Sequence, residues 1–264
     1  MSTLEVILSK SQLSEVFAFI FGIMWGSFYN VCIYRIPLEQ SVITKRSYCP
    51  SCKKGIPGYL NIPLFSFLML RGKCYFCHKR ISIQYPIVEF LTGVLFVWNW
   101  LMYGWTAAFF AYTLFGSILI VISVIDFHHK IIPDELSLPG IVLGFLCALI
   151  VRDISWLSSL FGILLGGGIF WLIAYFYERA SGREGLGGGD VKLLAMIGAW
   201  LGADSILLVI VISSAFGSVV GLSTMAIQKK DFKAAIPFGP FLALAAIIYL
   251  YWGDQIQPFF QPKP

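Results

Sequence analysis

Apolar residues along this chain are gathered into long stretches that recur over its whole length. Eight stretches are candidates for crossing a bilayer: roughly 14–34, 84–102, 106–125, 136–151, 157–177, 190–203, 205–226 and 239–252. The fourth, sixth and eighth are short for the about 20 residues that a crossing takes, so tilting or shielding by neighbouring helices is expected of them. No A-x-A-like cleavage site follows the first stretch, Val16 to Ile33, which therefore reads as a retained helix and not as a removed signal peptide. One sizeable segment outside the membrane, residues 35–83, interrupts the pattern. The pattern predicts an all-α polytopic membrane protein in three parts: a first transmembrane helix (1–34), an insertion (35–83) and a seven-helix membrane domain (84–264).

Composition agrees. The 264 residues are 58% hydrophobic and only 12% charged, with a mean hydropathy of +0.80, whereas soluble domains are about a quarter charged. Placing the insertion in the cytoplasm puts 16 of the 19 Lys and Arg residues inside: Arg35, Lys45, Arg46, Lys53, Lys54, Arg71, Lys73, Lys79, Arg80, Lys130, Arg179, Arg183, Lys192, Lys229, Lys230 and Lys233. Only Lys10, Arg152 and Lys263 fall outside. The net charge of +5 is therefore a topology signal. No nucleic-acid motif accompanies it, so membrane lipid is the expected surroundings and nucleic acid is not an expected partner. The loops with unusual residues, 126–135, 178–190 and 228–240, all lie on the cytoplasmic side in this topology, which makes that side the expected working face.

The insertion contains CPSC (49–52) and CYFC (74–77), two C-x-x-C pairs 21 residues apart. Four thiolates at this spacing suit one tetrahedral zinc, held by Cys49, Cys52, Cys74 and Cys77 as in a zinc ribbon. A segment of about 40 residues is too small for its own apolar core, so a metal would supply its fold. A site closed by four cysteines has no open position, which makes it structural. Free thiols are the alternative; disulfides are rare in a reducing compartment.

Two carboxylates stand at the edges of apolar runs. Asp126 ends the third stretch (VISVIDFHHKIIPDE), and Asp190 opens the sixth (GLGGGDVKLLAMIGAWLG) after three glycines. The topology puts both near one depth at the cytoplasmic boundary. Carboxylates in such places are functional candidates. A close pair shares one proton, so that one member can activate water while the other donates to a scissile carbonyl. Gly187 and Gly189 would support such a site, since glycine lets backbone approach a substrate and tolerates unusual dihedrals. Residue chemistry alone leaves other readings open: Asp190 as an N-cap, Asp126 facing headgroups, or both in a carboxylate-coupled transporter. Lys192 could act on a neighbouring carboxylate or reach out to the interface. Glu89, inside the second stretch, is a candidate for substrate or helix contact. Asp134 is a candidate for substrate contact or, with Glu135, a helix-start acid.

Ordered blocks then match a known family. Gly26–Pro37 (GSFYNVCIYRIP), the two cysteine pairs, Tyr85–Thr92 (YPIVEFLT), Asp126–Asp134 (DFHHKIIPD), Gly187–Lys192 (GGGDVK) and Ile236–Ala243 (IPFGPFLA) resemble, in this order, the type IV prepilin peptidases, the prepilin leader peptidase/N-methyltransferase family. The resemblance implies aspartic cleavage of a basic leader from prepilins and pseudopilins after a glycine, with Asp126 and Asp190 as the dyad. It also implies N-methylation of the new N-terminal residue with S-adenosylmethionine in members that carry the cysteine segment. No glycine fingerprint for that methyl donor is present, and no residue is assigned to it. Two rivals are a peptidase without methyl transfer, acting on archaellin-like or other substrates, and a carboxylate-coupled transporter.

Overall fold

The computed structural model describes residues 3–43, 47–151, 154–181, 187–228 and 237–260, with side chains described for 13–180, 187–224 and 237–257 within these ranges. Lys10, Lys45, Arg46, Arg152, Arg183, Lys229, Lys230, Lys233 and Lys263, which carry part of the charge argument, and Ile236 of the last block lie outside the described side chains. The described chain is helical: α1 (Thr3–Arg35), α2 (Phe65–Met69), α3 (Gln84–Tyr103), α4 (Ala107–His129), α5 (Asp134–Val151), α6 (Trp156–Ser181), α7 (Gly188–Leu201), α8 (Ala203–Gln228) and α9 (Gly239–Phe260). Each of the eight expected stretches is a helix. Six helices among the described residues are long and apolar enough to cross a membrane: those at Leu13–Leu38, Gln84–Tyr103, Ala107–His129, Asp134–Val151, Trp156–Ala180 and Ala203–Thr224. The count is lower than the eight expected, because α7 and α9 do not join this set. The 14 residues of α7 span only about 21 Å.

The chain divides into two compact units, residues 1–121 and 122–264, with the division inside α4. In the first unit α1 and α3 pack through small residues. A Cβ on Gly22 would stand 2.8 Å from the Gly93 Cα, and one on Gly26 would stand 2.7 Å from the Glu89 Cα. Such contacts let helix backbones approach where lipid gives no hydrophobic drive to associate. Side-chain polar bonds add to them: Asn30 Nδ2 donates to the Tyr85 carbonyl at 3.0 Å, and Asn99 Nδ2 donates to Thr113 Oγ1 at 3.1 Å, joining α3 to α4. Arg35, at the end of α1, donates to the Ser41 carbonyl at 3.1 Å and so turns the chain into the insertion.

In the second unit α7 is the centre. Every residue from Leu193 to Leu201 is buried, and the helix packs against α5, α6, α8 and α9. A helix that is apolar all round belongs inside a bundle. Its shortness follows, because a helix enclosed by protein does not have to match the lipid. The crossing with α6 is very close: a methyl at Gly162 would land on the Gly198 carbonyl, and one at Gly198 on the Gly162 carbonyl. Ser159 Oγ donates to the Ala199 carbonyl at 2.7 Å, and Trp200 Nε1 donates to the Gly140 carbonyl of α5 at 2.8 Å. Gly198→Val should force α6 and α7 apart and destabilise the protein by about 3 kcal/mol, read as a lowered unfolding temperature in detergent; an unchanged temperature would contradict this packing.

Candidate functional site

Asp126 lies in the last turn of α4, which runs three residues beyond it to His129; the helix therefore ends later than the apolar pattern indicates. Lys130 closes the helix in the left-handed region, φ +56°, and donates its N–H to the Asp126 carbonyl at 2.8 Å. The Asp126 side chain is buried, at 5% exposure. Its Oδ2 accepts the backbone N–H of Gly239 at 2.9 Å. Gly239 is the first residue of α9, so the carboxylate meets both an open N–H donor and the positive end of a helix. A Cβ at this position would stand 2.8 Å from that oxygen, so any larger residue would have to push the carboxylate aside. Sequence reasoning matched the block around Gly239 without giving this residue a role. Its signal was a glycine directly before Pro240, at a helix start.

Asp190 occupies the first turn of α7. It is half-buried and within electrostatic reach of Asp126. The structure thus brings together two carboxylates that are 64 positions apart in the sequence (190 − 126). The glycines before Asp190 take ordinary conformations. Gly187 is the N-cap residue, with φ −66° and ψ 135°, and neither Gly188 nor Gly189 has positive φ. The expected use of unusual dihedrals is not seen. Space is what these glycines provide: a Cβ at Gly189 would press on Ile132 at 2.9 Å, one at Gly187 would meet Asp190 Oδ2 at 3.5 Å, and one at Gly188 would meet nothing within 4 Å among the described residues.

Lys192 turns to Asp134, donating to Oδ1 at 2.7 Å and to Oδ2 at 2.8 Å. Both partners are largely solvated, so the pair contributes little stability by itself. Asp134 begins α5 in the position of a helix-start acid. Glu89, in the first unit, is buried and accepts the Leu64 backbone N–H at 2.8 Å. It ties the insertion to α3. His128 and His129 are exposed.

The four cysteines converge. The sulfurs of Cys49, Cys52, Cys74 and Cys77 all lie within 4.8 Å of one another, and Cys49 and Cys77 are 3.9 Å apart. Metal–sulfur bonds of about 2.3 Å in a tetrahedron place sulfurs about 3.8 Å apart. Two matching knuckles present them. In one, Lys53 N–H bonds the Cys49 carbonyl at 2.8 Å and Cys49 N–H bonds the Lys54 carbonyl at 2.9 Å; in the other, His78 bonds Cys74 at 2.9 Å and Cys74 bonds Lys79 at 2.9 Å. Lys53 and His78 hold the same left-handed turn, φ +60° and +54°. Burial works against the Cys49 thiolate, but the backbone N–H groups of Cys52 and Ser51 together with the Cys74 and Cys52 thiols bring it down to about 7. These residues fit a metal ion. His78, exposed, is not needed for the set.

The described chain is thus a bundle of apolar helices with two carboxylates near each other at helix ends and four cysteines that could hold a metal ion. Comparison with known proteins gives the family. Residues 20–103 match the bacterial peptidase A24 N-terminal domain, and residues 113–222 match the type IV leader peptidase family. The chain is 34% identical to the prepilin leader peptidase/N-methyltransferase of Stutzerimonas stutzeri, over 97% of this chain and 96% of that protein. It is 35% identical to the protein of that name from Aeromonas hydrophila, over 90% of each chain, and 35% identical to that from Pseudomonas aeruginosa, over 89% of each. No solved structure matches it. The chain belongs to the type IV leader peptidase family, in its prepilin leader peptidase/N-methyltransferase branch, and is an enzyme of that class.

Metal analysis of the purified protein should find about one ion per chain, lost in the Cys49→Ser/Cys52→Ser variant; intact protein without metal would defeat the assignment. Gly239→Ala should lower peptidase turnover about ten- to a hundredfold while leaving the unfolding temperature nearly unchanged, because it displaces a carboxylate and not a core contact. Wild-type turnover in that variant would show that the Gly239 contact does not matter.

Proposed function

We propose that this chain is a bifunctional enzyme of the cytoplasmic (inner) membrane. It removes the basic leader from type IV prepilins and pseudopilins, after a glycine, by aspartic hydrolysis at Asp126 and Asp190. It then N-methylates the new N-terminal residue with S-adenosylmethionine. The observation that carries the hydrolytic reading is the placement of the two aspartates: one pinned by a backbone donor, the other at the head of the enclosed helix, each within the field of the other.

In this reading Asp126 is the base. Its Oδ2 is engaged as an acceptor by Gly239, which leaves Oδ1 to take a proton from water. The water oxygen bonds to the scissile carbonyl carbon while protonated Asp190 gives its proton to the carbonyl oxygen. Collapse of the tetrahedral species breaks the C–N bond. The proton on Asp126 passes to the departing amine, and Asp190 recovers its own from the hydroxyl. No covalent enzyme intermediate forms. An extended substrate backbone enters beside Gly188, where a Cβ would meet none of the described residues. In the second reaction the free amine's electron pair bonds to the methyl carbon of the sulfonium donor, the carbon–sulfur bond breaks, and the amine loses a proton. Zinc is the ion proposed for the cysteine set, on ligand softness and tetrahedral closure; it orders the insertion and takes no part in hydrolysis. The basic residues at the ends of the spans support a cytoplasmic active site.

Purified protein in lipid, incubated with a prepilin-like substrate and S-adenosylmethionine, should yield a mature chain lacking the leader and heavier by one methyl group, read by mass spectrometry. Leader loss without the methyl would withdraw the transferase. An untouched substrate, with protein shown to be folded, would withdraw the peptidase and restore the carboxylate-coupled transporter.

A further inference from the structure

The insertion between α1 and α3 has a lopsided chemistry that neither the metal nor the dyad explains. From Ser41 to Val88 there is no Asp or Glu, but there are Lys45, Arg46, Lys53, Lys54, Arg71, Lys73, Lys79 and Arg80. Lys53 and Lys54 lean on the rings of Tyr48 and Phe76, at 5.5 and 5.3 Å. Arg71, Lys73, Lys79 and Arg80 are exposed. Large apolar side chains stand out beside them: Phe65 is 55%, Leu68 73% and Met69 68% exposed, all on α2. Retention of basic residues on one side of a membrane accounts for the charge, but not for the bare phenyl, leucyl and methionyl groups.

The depth of α2 gives them a partner. The end of α1 and the start of α3 are joined by the Asn30–Tyr85 bond, so the insertion leaves the membrane and returns at one place. Glu89 lies five residues into α3, about 7.5 Å along the helix, and its carboxylate holds the Leu64 N–H at 2.8 Å. Leu64 adopts φ +59° and ψ −49°, a conformation costly for leucine. It is the residue directly before α2. The chain is therefore drawn down alongside a spanning helix just before it presents Phe65, Leu68 and Met69. On a helix that crosses a bilayer, a point about 7.5 Å from its end lies near the boundary between headgroups and acyl chains.

We infer that α2 and the basic residues after it form an interfacial anchor for anionic phospholipid. Phe65, Leu68 and Met69 enter the acyl boundary, and Arg71, Lys73, Lys79 and Arg80 meet the anionic headgroups. Charge selects this occupant: a basic leader peptide would meet charge of its own sign here. The anchor fixes the cysteine knuckle against the bilayer, and Glu89 is the positioning residue that sets its depth. None of this depends on the dyad.

The test uses the full chain in nanodiscs of phosphatidylcholine, with or without phosphatidylglycerol. A photoreactive benzophenone amino acid replaces Leu68, and adducts are identified by mass spectrometry after irradiation. Lipid adducts are expected, severalfold more abundant with phosphatidylglycerol. That excess should disappear in the Arg71→Gln/Lys73→Gln/Arg80→Gln variant and in high salt. An unchanged metal content in each variant shows that the knuckle remains folded. Absence of lipid adducts, equal yields in the two bilayers, or adducts to an added prepilin-like substrate in their place would overturn the inference.

Discussion

The enclosure of α7 is the constraint on which the rest of the structure depends. Asp190 heads a helix buried on every side from Leu193 onward, so its position is set by packing and not by the membrane. That packing is close because glycine meets glycine where α6 crosses α7, and because Ser159 and Trp200 satisfy polar groups that would otherwise be stranded. On the opposing side, the N-terminus of α9 supplies the N–H that fixes Asp126. A site held by helices in this way keeps its carboxylates in place, while beside Gly188 no described residue comes within 4 Å of where a Cβ would stand. Hydrolysis in a membrane needs both conditions: fixed acid–base groups, and a route by which water and substrate backbone reach them.

The two units meet different physical demands. The second needs a core, and builds one around α7. The insertion in the first is too short for one, and replaces it with the convergence of four sulfurs. The knuckles that present those sulfurs repeat the same hydrogen bonds and the same left-handed turn. A peptide so stabilised can afford to leave apolar side chains outside, where a lipid surface can take them.

The sequence made several of these features legible for physical reasons. Long apolar stretches have one structural outcome in lipid, so the helices were predictable one by one. The spacing of Cys49, Cys52, Cys74 and Cys77 suited a tetrahedral site, and the four sulfurs do converge. The crossing count was less legible: apolarity cannot distinguish a helix that faces lipid from one, like α7, that faces other helices. The contact of Gly239 with Asp126 was also hidden, since a backbone N–H leaves no side-chain signature and its partner is 113 residues away. The reach of Lys192 to Asp134 was concealed for a related reason. Lys192 is two positions from Asp190 in sequence, but residues so spaced on a helix do not face each other.

The central claim is that two carboxylates, acting as base and acid on water, perform the cleavage. The most direct measurement is the single-turnover rate of leader removal by Asp126→Asn and Asp190→Asn proteins whose unfolding temperature and metal content match those of the wild type. The account predicts that each substitution alone lowers the rate by at least about a hundredfold, and that the double variant is scarcely slower than either, because the pair acts as a unit. Cleavage at the wild-type rate by either single variant would contradict it.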